Sequence, residues 1–227
     1  FVLIAALYVL AIFLLFFVPV YGSFSSSVRK RGGSALDGFR YVKQEPIMRN
    51  LLLVGLVITV FGQPFQHLLP LAQEFLHIQA DGVGLLFTFF GIGSLLGSTV
   101  SASLGDFQRK GLLLIAFFML FGFGVVCFAL SEWFWLSLLI MIPIGIGQSG
   151  RTVVHLATLQ SYSEDEMRGR VQALNAMMGG LIPFAVLGIT TIAEIFNGRI
   201  ALSLAGGIIL IYGLWELIFS KTLRELR

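Results

Sequence analysis

Charge is scarce in this sequence. Of 227 residues, 12% are Asp, Glu, Lys or Arg, about half of the roughly 25% usual in a soluble domain. Hydrophobic residues make up 57% of the chain, and the mean hydropathy is +0.91. This excludes a soluble globular enzyme, a disordered tail and a collagen-like chain, because so much apolar surface needs lipid as its solvent. A single cysteine, Cys127, excludes a disulfide scaffold and any cysteine-rich metal site. No His-Glu-x-x-His run occurs, Ser149 and His155 stand six apart, and no carboxylate sits at ligand spacing from His67 or His155. The chain is therefore not read as an enzyme, and no catalytic residue, metal or cofactor is expected. No basic residues precede the first apolar run, which is also longer than the roughly 7–15-residue core of a secretory signal. The chain opens at Phe1 inside that run and reads as a piece of something longer.

Long apolar runs are what the sequence does have. A bilayer core of roughly 30 Å needs about 20 apolar residues of helix. Seven stretches qualify: 1–20, 51–72, 83–104, 111–130, 134–156, 171–193 and 200–220. None shows the alternation of a membrane barrel, so the expected fold is an all-α polytopic membrane protein with seven transmembrane helices. Thirteen basic residues fall on one side of these spans: Arg29, Lys30, Arg31, Arg40, Lys43, Arg49, Arg109, Lys110, Arg168, Arg170, Lys221, Arg224 and Arg227. The opposite loops hold only Arg199, beside Glu74, Asp81, Glu132 and Glu194, and Arg151 lies inside a span. That asymmetry places residues 21–50 and the C-terminus of a multi-pass membrane protein in the cytoplasm, and Phe1 outside. The net charge of +3 then reports topology, and nucleic acid is not expected as a partner.

Residues 22–34 are glycine, serine and basic residues and read as a flexible linker. Leu36, Phe39 and Val42 at helical spacing suggest a short helix on the inner membrane face over 35–45, with a plain turn before Pro46 as the alternative. The expected organisation is a helix over 1–20, a central cytoplasmic loop over 21–50 and a six-helix bundle over 51–227. The six spans divide into two triplets, 51–130 and 134–220. The first span of each looks broken, one by Gly62, Pro64 and Pro70, the other by Pro143, Gly145, Gly147 and Gly150. Broken helices in corresponding positions of two repeats point to a transporter's binding site. An odd number of spans separates the triplet starts, so the repeats are inverted, as in an alternating-access transporter.

Both interrupted spans carry polar stripes. Gln63, Gln66, His67, Pro70 and Glu74 recur every three to four residues in one. Gln148, Arg151, Thr152, His155 and Thr158 do so in the other, and Gln172 and Asn175 follow in the next span. Such residues share a helix face, and a polar face within the membrane should line the protein interior or a water-filled cavity. Gln63, Gln66, His67, Gln148, Arg151, Thr152, His155, Gln172 and Asn175 are the candidate substrate-cavity residues. Arg151 lies about 27 Å along its helix from Trp133, so a guanidinium reaching the inner interface is the alternative for it. Packing is the alternative for the two histidines. Gly93 and Gly97, followed by Ser101 and Gly105, form a small-residue row suited to close helix packing. Glu216 is expected to reach water near the inner end of its span.

Two cytoplasmic loops read Gly105-Asp106-Phe107-Gln108-Arg109-Lys110-Gly111 and Ser163-Glu164-Asp165-Glu166-Met167-Arg168-Gly169-Arg170-Val171. An acid before a basic pair, then an Arg-Gly-Arg opening a helix, resembles the major facilitator superfamily. The run through Leu69-Pro70, Gly84-Leu85-Leu86, Gly91, Gly93, Gly97 and Leu104-Gly105-Asp106 is similar to the C-terminal half of its efflux branch, which includes macrolide and siderophore exporters. The resemblance implies that 1–20 is the sixth of twelve helices and that an N-terminal bundle of the same chain is a missing partner. It also implies alternating access by rocking two bundles around a small-molecule substrate, with membrane lipids around both. Export coupled to proton influx, as in an antiporter, is implied as well, and the substrate is expected to be small, amphipathic and drug-like. Asp106, Arg109, Lys110, Glu164, Arg168 and Arg170 are the candidate conformational-switch residues, since opposite charges at one surface can latch a conformation. Loop anchoring is the alternative for them. A seven-helix receptor or sensor is the alternative function, and the inverted triplets argue against it.

Overall fold

The computed structural model describes residues 35–104 and 109–220. The expected span over 1–20, the linker over 22–34, Asp106, and the tail cations Lys221, Arg224 and Arg227 lie outside the described residues. Among those described, every regular element is helical. The short helix α1 spans Ala35–Gln44, where the sequence suggested one. A composite segment follows: α2 (Pro46–Val57), a π-helical turn (Ile58–Gly62), α3 (Pro64–Leu68), a 3-10 turn (Leu69–Leu71) and α4 (Ala72–Leu76). Then come α5 (Ala80–Ser103), α6 (Lys110–Leu130), α7 (Phe134–Tyr162), α8 (Asp165–Gly179), α9 (Ile182–Ile195) and α10 (Gly198–Phe219).

Six segments are long and apolar enough to cross a membrane: Pro46–Leu76, α5, α6, α7, Asp165–Ile195 and α10. They coincide with the last six stretches read from the sequence, but three run further. The first starts at Pro46, α7 continues to Tyr162, and α8 starts at Asp165. A hydropathy reading stops where polar and charged residues gather, whereas the helix backbone does not. Asp165 and Glu166 in the first turn of α8 even favour it, because acids complement the positive end of the helix dipole. Large apolar side chains stand exposed along the bundle, including Leu53, Leu95, Phe123, Leu139, Leu187 and Ile211. Water would penalise such an exterior and lipid does not.

The interruptions fall differently from the expectation. Pro64 lacks an N–H and its ring crowds the preceding turn, and the chain answers with the π turn, in which the Gln63 amide donates to the Ile58 carbonyl at 2.9 Å. Pro70 starts the 3-10 turn. The break expected in 134–156 does not occur, since α7 runs unbroken through Pro143 and its three glycines, Gly145, Gly147 and Gly150. In lipid, unpaired backbone groups cost several kcal/mol each, so a helix that neighbours can support stays closed. The second break sits between α8 and α9 instead. There the Gly180 and Leu181 amides donate to the Met177 and Met178 carbonyls, in tight turns three residues long, and Pro183 fixes the new start.

The glycines of α7 serve packing. A β-carbon on Gly93 would lie 2.1 Å from the Ile142 carbonyl oxygen, and one on Gly145 would lie 2.2 Å from that of Phe90. Thus α5 and α7 touch backbone to backbone, as the small-residue row predicts. On its other side α7 meets α6, where Gly147 abuts the Phe117 carbonyl and Gly150 the Phe117 ring. Gly122 and Gly206 bring α6 against α10 in the same way. The aromatic centre of the bundle is Phe65, in edge contact with Phe121 and Phe128 at centroid distances of 6.0 and 5.8 Å.

Glu216 does not reach water, contrary to the expectation. It is 3% exposed and lines a void of about 10 Å3 with Val54, Leu114, Ile115, Phe118 and Tyr212. Gly213 explains the burial, because its missing side chain lets α10 settle onto Phe118 and Met119 of α6. At the opposite end, Arg199 ties three elements together. Its Nη2 donates to the Phe75 carbonyl at 3.0 Å, its Nη1 lies 3.6 Å from Glu132, and its guanidinium covers the Phe75 ring at 5.3 Å.

Candidate functional site

The polar stripe of α7 is real but only part of it faces inward. Arg151 and His155, one turn apart, are buried, and Thr158 continues that face. Thr152 is exposed, its hydroxyl donating to the Gln148 carbonyl at 2.8 Å. The longer α7 also changes the depth of Arg151. Eleven residues separate it from Tyr162, about 16 Å of helix, and it is 4% exposed. A guanidinium reaching the inner interface is therefore not what the structure shows.

Arg151 is held by three neighbours. Its Nη2 donates to Oε1 of Gln148. Its Cζ lies 5.0 Å from the centroid of the Phe121 ring on α6, a cation–π contact worth about 2 kcal/mol when water is excluded. Gly62, at the end of the π turn, leaves room beside Nη2, where a β-carbon would stand 3.7 Å away. One turn further along α7, Nε2 of His155 meets Oδ1 of Asn175 on α8 at 3.4 Å. Gly55 of α2 covers that pair, and a β-carbon there would lie 3.2 Å from His155 Nε2 and 3.6 Å from Asn175 Oδ1. Four elements thus converge on one polar cluster: α2 with its π turn, α6, α7 and α8.

The cluster has spare hydrogen-bonding capacity. Nε of Arg151 and Nδ1 of His155 are buried without a protein partner, as is Nε2 of Gln172, one turn before Asn175 on α8. Among the described residues no carboxylate pairs with Arg151. A buried cation with unspent N–H donors is built to meet an acceptor, such as a carboxylate, a phenolate or a carbonyl-rich group.

The other candidates are spread out. Gln63 and Gln66 are half-buried, and His67 is exposed on α3. The π turn inserts an extra residue and so rotates everything after it by about 100°, which takes His67 off the face that the regular spacing assigned to it. Gly55, Gly62 and Phe121 were not assigned to the cavity from the sequence. Gly55 and Gly62 stand seven apart, a spacing that returns to the same helix face and could have marked them.

Of the switch candidates, Arg109 precedes α6 and is exposed, and Lys110 opens that helix. The Glu164 carbonyl accepts from the amides of Met167 and Arg168. Arg168 bridges the α7–α8 turn, pairing with Asp165 at 2.9 Å and donating from Nε to the Gln160 carbonyl at 3.2 Å. Nη1 of Arg170 lies 3.2 Å from the Met167 sulfur. Asp106 lies outside the described residues.

Comparison with known proteins fits this architecture. The family model described as Major Facilitator Superfamily matches residues 67–226. The enterobactin exporter EntS of Escherichia coli O1:K1 / APEC is 26% identical over 210 residues, which is 86% of this chain and 47% of that protein. EntS of Shigella boydii serotype 18 and of Escherichia coli O157:H7 are each 25% identical over the same length and shares. The chain spans about half the length of the curated relatives it matches. With a family match over more than two thirds of its length and six membrane-capable helices behind it, the chain belongs to the Major Facilitator Superfamily.

Proposed function

We propose that this chain forms the C-terminal part of a secondary active exporter, and that the Arg151 cluster recognises an anionic, amphipathic solute. The observation that carries this reading is a deeply buried arginine without a carboxylate partner among the described residues. A desolvated charge is costly and is retained inside a membrane protein where it meets a substrate or a mobile ion. Gln172, Asn175 and His155 supply neighbouring polar groups, and Phe121 and Phe65 an aromatic wall, which suits a solute with apolar rings and an acidic or oxygen-rich group.

Relatives named as enterobactin exporters support export as the direction, and the family resemblance supports coupling to proton influx. In this reading the C-terminus lies in the cytoplasm, 1–20 and 51–227 belong to two bundles of one longer chain, and the two bundles rock about the cluster. Membrane lipids surround both. The cytoplasmic turns around Arg109, Lys110, Glu164, Arg168 and Arg170, with Asp106, act as the conformational switch. The test uses inside-out vesicles carrying the complete native protein. A proton gradient should drive accumulation of an amphipathic aryl carboxylate, and collapse of the gradient should stop it. Accumulation that ignores the gradient, or preference for a cationic analogue, contradicts the proposal.

A further inference from the structure

Between α1, α2 and α8 the chain leaves an open groove of about 760 Å3. It exists because the chain turns at Glu45–Pro46, and because α1 lies close against α8 at Gly38, whose missing side chain faces Arg170 and Leu174. The walls are apolar, with Leu53 and Leu56 from α2, Met177 from α8 and Leu181 from the turn before α9. Lys43 and Arg49 sit among its lining residues, one on each side of the turn, and no acid lines it. Both cations are exposed and have no ion-pair partner among the described residues. From Arg49 to Leu56 the α2 wall runs about 10 Å along its helix, and the facing wall passes from Leu174 and Met177 of α8 to Leu181 in the turn before α9, away from the charged ends of both spans. The groove therefore has a cationic mouth and an oily shaft, and three of its wall residues are themselves exposed: Leu53, Met177 and Leu181.

We propose that this groove binds one anionic phospholipid of the adjoining leaflet. Its phosphate sits between Lys43 and Arg49, and its acyl chains run along Leu53, Leu56, Met177 and Leu181. The shape and charge match each half of such a molecule, and the unbranched, polarizable Met177 adapts to a mobile chain. A zwitterionic lipid satisfies the shaft but brings its own cation to the mouth. A soluble anion satisfies the mouth but leaves the shaft empty. The site is separate from the Arg151 cluster and stands whether or not that cluster recognises substrate.

The test is photolabelling of the complete protein in phosphatidylcholine nanodiscs, with phosphatidylglycerol or phosphatidylcholine probes carrying a diazirine in one acyl chain. The glycerol probe should label the peptides that hold Leu53–Leu56 and Met177–Leu181 about thirtyfold more than the choline probe. Lys43→Gln combined with Arg49→Gln should cut that labelling about thirtyfold, given the usual attraction of two basic side chains to an anionic headgroup, and leave the choline signal unchanged. Raising salt from 0.1 to 1 M should weaken labelling of the unmodified protein, which decides the matter even if the double variant misfolds. Equal labelling by both probes, or labelling indifferent to both charge and salt, overturns the proposal. So does a groove found crosslinked to residues 1–34 or to a second copy of the chain.

Discussion

The guanidinium of Arg151 rests on the ring of Phe121, 5.0 Å from its centroid, across the contact between α7 and α6. The same ring makes an edge contact with Phe65 at 6.0 Å, so the charge is coupled directly to the aromatic centre of the bundle. A cation placed this way is shielded from lipid, and its orientation is fixed by packing.

Phe121→Leu keeps most of the apolar volume and removes the ring face. Loss of the cation–π contact and of the edge contact should lower stability by about 1–3 kcal/mol. Thermal unfolding in detergent measures it. An unchanged midpoint would mean that Arg151 is held by Gln148 alone.

The closeness of α5 and α7 gives a paired prediction. Gly93→Ala drives a β-carbon to 2.1 Å from the Ile142 carbonyl oxygen, while Gly91→Ala, two residues earlier, meets nothing within 4 Å. The first should cost about 1–3 kcal/mol or more through overpacking. The second should be neutral or slightly stabilising, because alanine is the better helix former. Comparable effects at both positions would contradict the backbone-to-backbone contact.

Arg199 braces α10 against α4 and the α6–α7 turn. Arg199→Gln should lower stability by about 1–2 kcal/mol through loss of the bond to the Phe75 carbonyl and the ring contact. Arg199→Lys should restore only part of this, since an ammonium lacks the planar fork. Glu132→Gln should cost less than about 1 kcal/mol, because that carboxylate is 76% exposed. Denaturation of the three variants ranks them, and a larger loss for Glu132→Gln would place the brace in the ion pair instead.

Gly55 lies over the pair formed by His155 and Asn175. Gly55→Ala should reduce transport several-fold with little loss of stability, because the neighbouring side chains must move by only a few tenths of an ångström from 3.2 Å. Gly188→Ala, with open space around it, should leave transport intact. Equal transport by both variants would separate this pair from the transport pathway.

Six of the spans could be read from the sequence because each holds enough apolar residues to cross a bilayer, and lipid leaves a helix no other way to satisfy its backbone. The breaks were harder to read. Pro143 and its neighbouring glycines suggested a broken helix, yet those glycines are the places where α7 touches α5 and α6. The real second break, at Gly179-Gly180 before Pro183, hides inside a stretch whose hydropathy is continuous. Within the candidate site, Gln148, Arg151, His155 and Asn175 were legible as a stripe because α7 and α8 are regular there. His67 stands exposed because the π turn before Pro64 shifts the register, which no count of three or four can show. The burial of Glu216 depends on Gly213 fitting against Phe118, a contact between distant helices that residue type alone does not reveal.

The most direct measurement compares transport of an amphipathic carboxylate and its neutral amide analogue by the complete protein, before and after Arg151→Gln. If the cluster recognises an anion, the substitution lowers kcat/KM for the carboxylate by about 10–100-fold, the scale of one charge-assisted contact, and leaves the amide nearly unchanged. Equal losses for both solutes, with the protein still folded, would contradict anion recognition and leave Arg151 a packing residue.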